Sequence, residues 1–369
     1  MRNNKLVLGL LTAALALGGL TGCSNGDKEK NSNTAVTVTD APENTADTTT
    51  AATPSKSAET ENTDDTKSEG FVLTYPEHMQ ELGFKEPVEL EEVPETIVTL
   101  STYPVLTLFA MDVKLAAVPS TKVIEYPEDY DGVILPGVMS GTFDIEQVVA
   151  MQPDLVIMPS SSKEQYGATL EGLDIPVYYV AMTSASTDVY NLIKEQTQAF
   201  VDAFSTDAES KTKGEAVMAK FDTLNEKLEE VKKLTEGKTV MSITVSGESS
   251  IYINSATSTL GCMLDMCGLE NVFQPGENAG VGHSMNEMDM ETSIGYDPDI
   301  MVVCGSSTLE DNKALMDSIY ELNKDYWDMI DAYKEGRVIY LPSSYVSTAG
   351  INIISNIEDL IVLIENLCK

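Results

Sequence analysis

Side chains able to do chemistry are few in this chain of 369 residues. Its two histidines are His78 and His283, and its arginines are Arg2 and Arg337. Serine hydrolysis needs a nucleophile, a base and an orienting group; no G-x-S-x-G occurs, and His283 is the one plausible base, so an enzyme is not expected. A histidine-built zinc site, which takes three or four His or Cys ligands, is nearly excluded. What recurs instead is an acidic pattern. Asp144–Ile157 reads DIEQVVAMQPDLVI and Asp289–Val303 reads DMETSIGYDPDIMVV. Glu146 stands seven residues before Pro153 and Glu291 seven before Pro298, 145 residues apart (291 minus 146). Each acid falls at a helix start, where the dipole favours a carboxylate. Each Pro-Asp turns the chain out of the helix into an apolar run. An acidic helix start and a proline turn suit many α/β units. The shared spacing and the serine-rich exits, PSSS and CGSS, mark a duplication.

These acids must be carried by folded halves. LAAV, YYVA, VMSITV, IMVV and RVIYL are short apolar runs bounded by Gly, Pro and Ser, and helical stretches alternate with them. That alternation predicts α/β units around a buried, mostly parallel sheet. The segment EPVELEEVPETIVTLS predicts a β-ribbon leading into a buried strand at 96–100, with a helix following at 105–111. Between the halves no proline occurs from Pro176 to Pro275. Within that gap Val217, Phe221, Leu224, Leu228 and Val231 step by four and three, one apolar stripe on a long helix over 205–236. Ser205, Thr206 or Asp207 caps its start and Gly237 ends it. About 30 residues make a strut of roughly 45 Å. The stripe is too short to demand a coiled coil, and a monomer is expected.

The formal net charge is −36, which argues against nucleic acid as a partner. Solubility accounts for this charge as well as steering towards a basic partner does. At the start, Arg2 and Lys5 precede an apolar run to Leu17 and then LTGC at 20–23. This reads as a secretory leader, and LTGC resembles the bacterial lipobox, whose cysteine, here Cys23, becomes the lipidated first residue. Ser24–Ser68 is nearly free of large apolar residues and is expected to be disordered. It forms a tether of roughly 35–40 Å reach. The remaining cysteines, Cys262, Cys267, Cys304 and Cys368, read as small buried residues with free thiols. The divisions are therefore a leader over 1–22, lipidated Cys23 and tether over 23–70, a first lobe over 71–204, the helix over 205–236 and a second lobe over 237–369.

DIEQVVAMQPDLVIMPSSS, DMETSIGYDPDIMVV, CGLENVF at Cys267–Phe273 and the strut together resemble substrate-binding proteins of ABC importers. The class in question carries iron–siderophore complexes, haem and cobalamin. The resemblance covers roughly Val93 to Lys369. It implies an α/β fold of two lobes with mostly parallel central sheets, joined by a single long α-helix, with the ligand cleft between the lobes. It also implies residence on the outer face of the cell membrane and delivery of the ligand to a permease dimer. One surface Glu per lobe docks on permease arginines in that class, and Glu146 and Glu291 fall on those positions. No intrinsic cofactor is expected.

Ligands of open α/β sheets sit beyond the carboxyl ends of the strands. The loops there yield Tyr103, Met139, Ser140 and Ser160 in the first lobe and Tyr252, His283, Ser306 and Tyr345 in the second as cleft candidates. Met139 stands seven residues before Glu146 and His283 eight before Glu291, so rough two-fold symmetry faces them across the cleft. Thioether and imidazole are an axial pair for haem iron. Ordinary packing for Met139 and a backbone-bonded loop position for His283 fit somewhat better. Some haem carriers of this class place the histidine after the second Pro-Asp strand, where this chain has Gly305–Ser306, which weighs against haem. Anionic catecholate complexes want several cations. A neutral hydroxamate complex or a corrinoid suits loops lined by Tyr and Ser. A surface sensor or adhesin on the same lobes is the alternative, and it needs the cleft but not the two glutamates.

Overall fold

The structure, a computed structural model, describes residues 70–182, 186, 188–274, 285–305, 307–348 and 350–368. The leader, Cys23 and nearly all of the tether lie outside the described residues, as do His283 and Ser306. In the first half the chain forms β1 (Phe71–Leu73), α1 (Glu77–Glu81), β2 (Val88–Leu90), β3 (Ile97–Thr99), α2 (Val105–Ala110), β4 (Ala117–Pro119) and β5 (Val133–Leu135). There follow α3 (Ile145–Ala150), β6 (Leu155–Pro159), α4 (Ala168–Glu171), β7 (Val177–Val180) and α5 (Val189–Phe204). The long helix is α6 (Ala208–Thr235). Beyond it come β8 (Thr239–Gly247), β9 (Ser250–Asn254), α7 (Thr259–Met266), β10 (Glu270–Asn271), β11 (Met285–Glu287) and α8 (Met290–Ser293). Last are β12 (Ile300–Gly305), α9 (Leu309–Leu322), α10 (Lys324–Trp327), α11 (Asp331–Lys334), β13 (Val338–Leu341) and α12 (Asn352–Cys368).

Two α/β lobes result. The first sheet has the order β5-β4-β3-β6-β7 and is parallel throughout. Its central strands are buried on both faces, which is why they read as unbroken apolar runs. The second sheet has the order β11-β9-β8-β12-β13, with β10 paired to β8. Here β8, β12 and β13 are parallel, whereas β9 returns antiparallel to β8 as a hairpin and β11 is antiparallel to β9. Strand β11 therefore runs in the same sense as β8. The β1–β2 ribbon docks on the first lobe through Tyr75, which stacks on Tyr178 at 4.4 Å and accepts a hydrogen bond from the Tyr179 amide at 3.1 Å. His78 sits in this same contact, its Nδ1 2.7 Å from Glu195 Oε2 on α5.

Helix α6 has 28 residues, about 42 Å at 1.5 Å per residue. Asp207 is the cap: its carboxylate accepts from the Ser210 amide at 2.7 Å while Ser210 Oγ accepts from the Asp207 amide at 3.0 Å. All five stripe residues are buried. They join one continuous apolar core that takes in Tyr178 and Phe200 of the first lobe and Leu260, Ile353 and Ile357 of the second. A second core lies on the other face of the second sheet, built on Ile243, Val303 and Trp327. Cys262, Cys267 and Cys304 are buried free thiols, and burial pushes the Cys267 and Cys304 thiols up to about 12. Among the described residues no helix is long and apolar enough to cross a membrane.

Candidate functional site

The sequence repeat is a structural repeat down to single hydrogen bonds. Asp144 caps α3 at φ −85, ψ 105 and its carboxylate accepts from the Glu146 amide at 2.9 Å. Asp289 caps α8 at φ −82, ψ 108 and accepts from the Glu291 amide at 3.0 Å. Bonds from the Thr292 hydroxyl and then from the Glu291 and Thr292 amides hold the Asp289 carboxyl below its usual range. The capping aspartate thus fixes the backbone of the glutamate two residues on, and both glutamates stay exposed. Neither carboxylate has an ion-pair partner among the described residues. Strand β5, which precedes Glu146, and β11, which precedes Glu291, are the corresponding edges of their sheets. Both helices start from the carboxyl end of that edge, so each acid is held on the loop-bearing end of its lobe.

Two features of the repeat had a different cause from the one expected. The helix is broken one residue before the proline, by Gln152 at φ 52 and Asp297 at φ 39. The aspartate after the proline ties down the neighbouring strand. Asp154 Oδ2 accepts from the Glu95 and Thr96 amides at 3.0 and 2.8 Å, at the entry to β3. Asp299 Oδ2 accepts from the Thr239 amide and hydroxyl at 2.8 and 2.9 Å, at the start of β8. The Thr239 amide bond leads in holding the Asp299 carboxyl below its usual value. A carboxyl depressed on folding contributes stability above its unfolded value near 4 and loses it as pH falls through the lower folded value. Asp299→Ala is expected to cost up to about 1 kcal/mol at pH 7, because the carboxylate is exposed and water screens and competes for its bonds. In urea unfolding, the gap from the parent should close as pH drops below about 4; a gap independent of pH would refute the carboxylate clamp.

A carboxyl-end loop of one sheet meets one of the other. Gly350, beyond β13, lies so close to the loop after β3 that a Cβ would fall 2.0 Å from the Tyr103 carbonyl oxygen. Tyr103 and Tyr345, read from sequence as cleft walls, are 7% and 5% exposed and pack into the core beneath these loops. Their rings belong to the apolar core, and burial is the leading cause that raises the Tyr345 phenol. Met139 is 53% exposed in the turn after β5. Ser140 beside it donates to the Gly137 carbonyl at 3.0 Å and lies 2.8 Å from Thr142 Oγ1. Ser160, after β6, and Tyr252, on β9, are half-buried.

Other groups at these ends escaped the sequence reading. Tyr166 donates to the Gly141 carbonyl at 2.9 Å and packs 4.4 Å from Phe143, bracing the Met139 turn. Tyr126, Tyr130 and Phe109 form a half-buried aromatic cluster at the end of β4, where the Tyr126 hydroxyl donates to the Pro119 carbonyl. Burial pushes both phenols up to about 12, so they are neutral near pH 7. Two tyrosines four residues apart in a proline- and aspartate-rich loop were the available signal. Lys163, just past the serines after β6, lays its ammonium over the Phe84 and Tyr179 rings at 4.7 and 5.1 Å.

Residues 97–345 match the family model described as periplasmic binding protein, a span that opens at β3 and closes just beyond β13. The chain belongs to the periplasmic binding protein family. No curated protein sequence matches this periplasmic binding protein. Its fold matches solved structures at low identity. The petrobactin-binding protein YclQ from Bacillus subtilis shares 18% identity at a TM-score of 0.60, over 82% of this chain and 99% of that one. The iron-uptake ABC transporter substrate-binding protein PiuA from Streptococcus pneumoniae shares 22% at 0.58, over 74% and 94%. IsdE of S. aureus, solved with haem, shares 18% at 0.55, over 73% and 98%. In this binding protein no group of three or more His, Cys, Asp or Glu among the described residues stands together to hold a metal ion.

Proposed function

We propose that this periplasmic binding protein is the extracytoplasmic receptor of an ABC importer, and a carrier with no catalytic role. It captures a ferric siderophore, haem or a corrinoid between its lobes and delivers it to a permease dimer. The observation that carries this reading is the pair of exposed, similarly capped glutamates, without an ion-pair partner among the described residues, one on the loop-bearing end of each lobe. One carboxylate per lobe is a two-point dock for a basic partner, and it also senses the distance between lobes. Structures similar in fold carry names that tie them to petrobactin, iron uptake and haem, which supports the cargo class. In this reading residues 1–22 direct export, Cys23 carries the lipid, 24–70 forms the tether, and the lobes at 71–204 and 237–369 are bridged by 205–236.

Exposed Met139 and Ser140, with Ser160, Tyr252, His283 and Ser306, are the cargo contacts in this proposal, and Met139 and His283 are the axial ligands if the cargo is haem. Tyr126 and Tyr130 add an aromatic wall beside β4. With Lys163 engaged on two rings, a neutral complex fits these loops better than an anionic catecholate. The test is a titration of the purified chain with haem, a ferric hydroxamate and cobalamin. Trp327, the single tryptophan, lies in the second-lobe core and reports binding through quenching. A sharp Soret band that is lost in Met139→Ala or His283→Ala assigns haem. Quenching by a hydroxamate complex or cobalamin, with no Soret change, assigns that cargo instead. No response to any of the three overturns the proposed cargo class.

A further inference from the structure

Exposed apolar side chains are not spread evenly over this protein. Among the described residues the densest run is Val133, Ile134 and Met139, three within seven positions. Val133 and Ile134, 39% and 49% exposed, are two of the three residues of β5. In the second lobe Met285, 39% exposed, opens β11. These are the two edge strands that lead to the repeated glutamates. Among the described residues neither has a neighbour on its outer side. Charge and proline, which blunt such edges in soluble proteins, only bound these apolar positions: exposed Glu287 closes β11 and Pro136 follows β5.

Each apolar edge also leads along the chain directly to its acid. The turn after β5 is closed by the Thr142 amide donating to the Gly137 carbonyl at 2.9 Å. That closure shortens the path, so Ile134 lies within roughly 22 Å of Asp144, from five open residues at up to about 3.5 Å each and the closed turn between them. Met285 stands six residues before Glu291, across the three-residue strand β11, the Asp289 cap and the start of α8. Acids gather around the first edge as well: Glu128, Asp129 and Asp131 immediately precede it. An apolar centre with a charged rim is the anatomy of a protein interface.

We infer that the outer edges of β5 and β11 are the apolar half of the docking face, seating on aliphatic loop residues of the permease beside its arginines. This inference rests on the importer reading above. The acids set register and encounter, because exposed ion pairs contribute little affinity. The aliphatic edges supply the holding contact, because burying apolar surface is what persists in salt. A partner with basic residues alone would leave Val133, Ile134 and Met285 in water.

The test places a photo-crosslinking residue singly at 134, 285, 146 and 291 in the full lipid-anchored chain in its own cells, with exposed Leu322 and Val362 as controls. Adducts are identified by mass spectrometry. The expected result is the same permease polypeptide from 134, 285, 146 and 291, and none from 322 or 362. Permease adducts from 146 and 291 but not from 134 or 285 overturn the apolar edges and leave the importer reading standing. No permease adduct from any position overturns both. Alongside, Ile134→Ser with Met285→Ser should slow uptake roughly three- to tenfold while leaving cargo affinity unchanged. Unchanged uptake in that double variant overturns the inference.

Discussion

Glu146→Lys combined with Glu291→Lys is expected to lower cargo uptake at least tenfold while cargo affinity stays at the parent value. The magnitude follows from the setting. An exposed ion pair contributes about 0.2–1 kcal/mol. Removing two and introducing two repulsions passes about 1.4 kcal/mol, which is tenfold. Cargo binding should not change, because both side chains are exposed and neither has an ion-pair partner among the described residues. Each single reversal should give an intermediate loss. The parent's uptake should also weaken as salt rises, since exposed charges are screened beyond about 10 Å at 0.1 M. The measurement is cell uptake beside cargo titration of the purified variants. Normal uptake in the double variant would remove the docking role and leave a surface sensor as the better account of the fold.

Phe221→Ala is expected to be the most damaging single truncation on the strut. Phe221 is fully buried, packs 5.6 Å from Tyr190 with the rings nearly edge-on, and belongs to the core shared by both lobes. Aromatic-to-alanine changes in such cores cost about 3–5 kcal/mol, part transfer and part unfilled cavity. For a body of this size that lowers the melting temperature by the order of 10 °C. Because the core runs through α6 without a break, both lobes should lose stability together in one transition. Two separated transitions in calorimetry of the variant would show that the lobes do not share a cooperative core.

Much of this architecture was legible because it is written in local patterns. The strut's stripe, the central strands and the paired Asp-x-Glu helix starts each follow from side chains within a few residues of one another. What escaped depends on distant partners. Asp154 and Asp299 bond to strands 58 and 60 positions away, and nothing beside them in sequence shows it. The antiparallel β9 return was missed because an alternating strand such as Ser250–Asn254 does not state its partner or sense. Strand β5 was missed because three residues ending at a Pro-Gly turn look like loop. Tyr103 and Tyr345 were assigned to the right loops but to the wrong side of them. Composition places a tyrosine at a strand end, whereas packing into the core decides whether its ring faces water.

The close approach of Gly350 to Tyr103 makes the crevice floor a fulcrum, with no slack there for the lobes to slide past each other. Strand β13 stands at this point, and β11 is four strands away across the sheet. At about 4.8 Å per strand that is a lever arm of roughly 19 Å. A tilt of a few degrees, too small to disturb the packing underneath, is thus magnified at the far rim, where Glu291 sits. In the proposed importer reading, an occupied and an empty carrier then differ most in the spacing between the two acids.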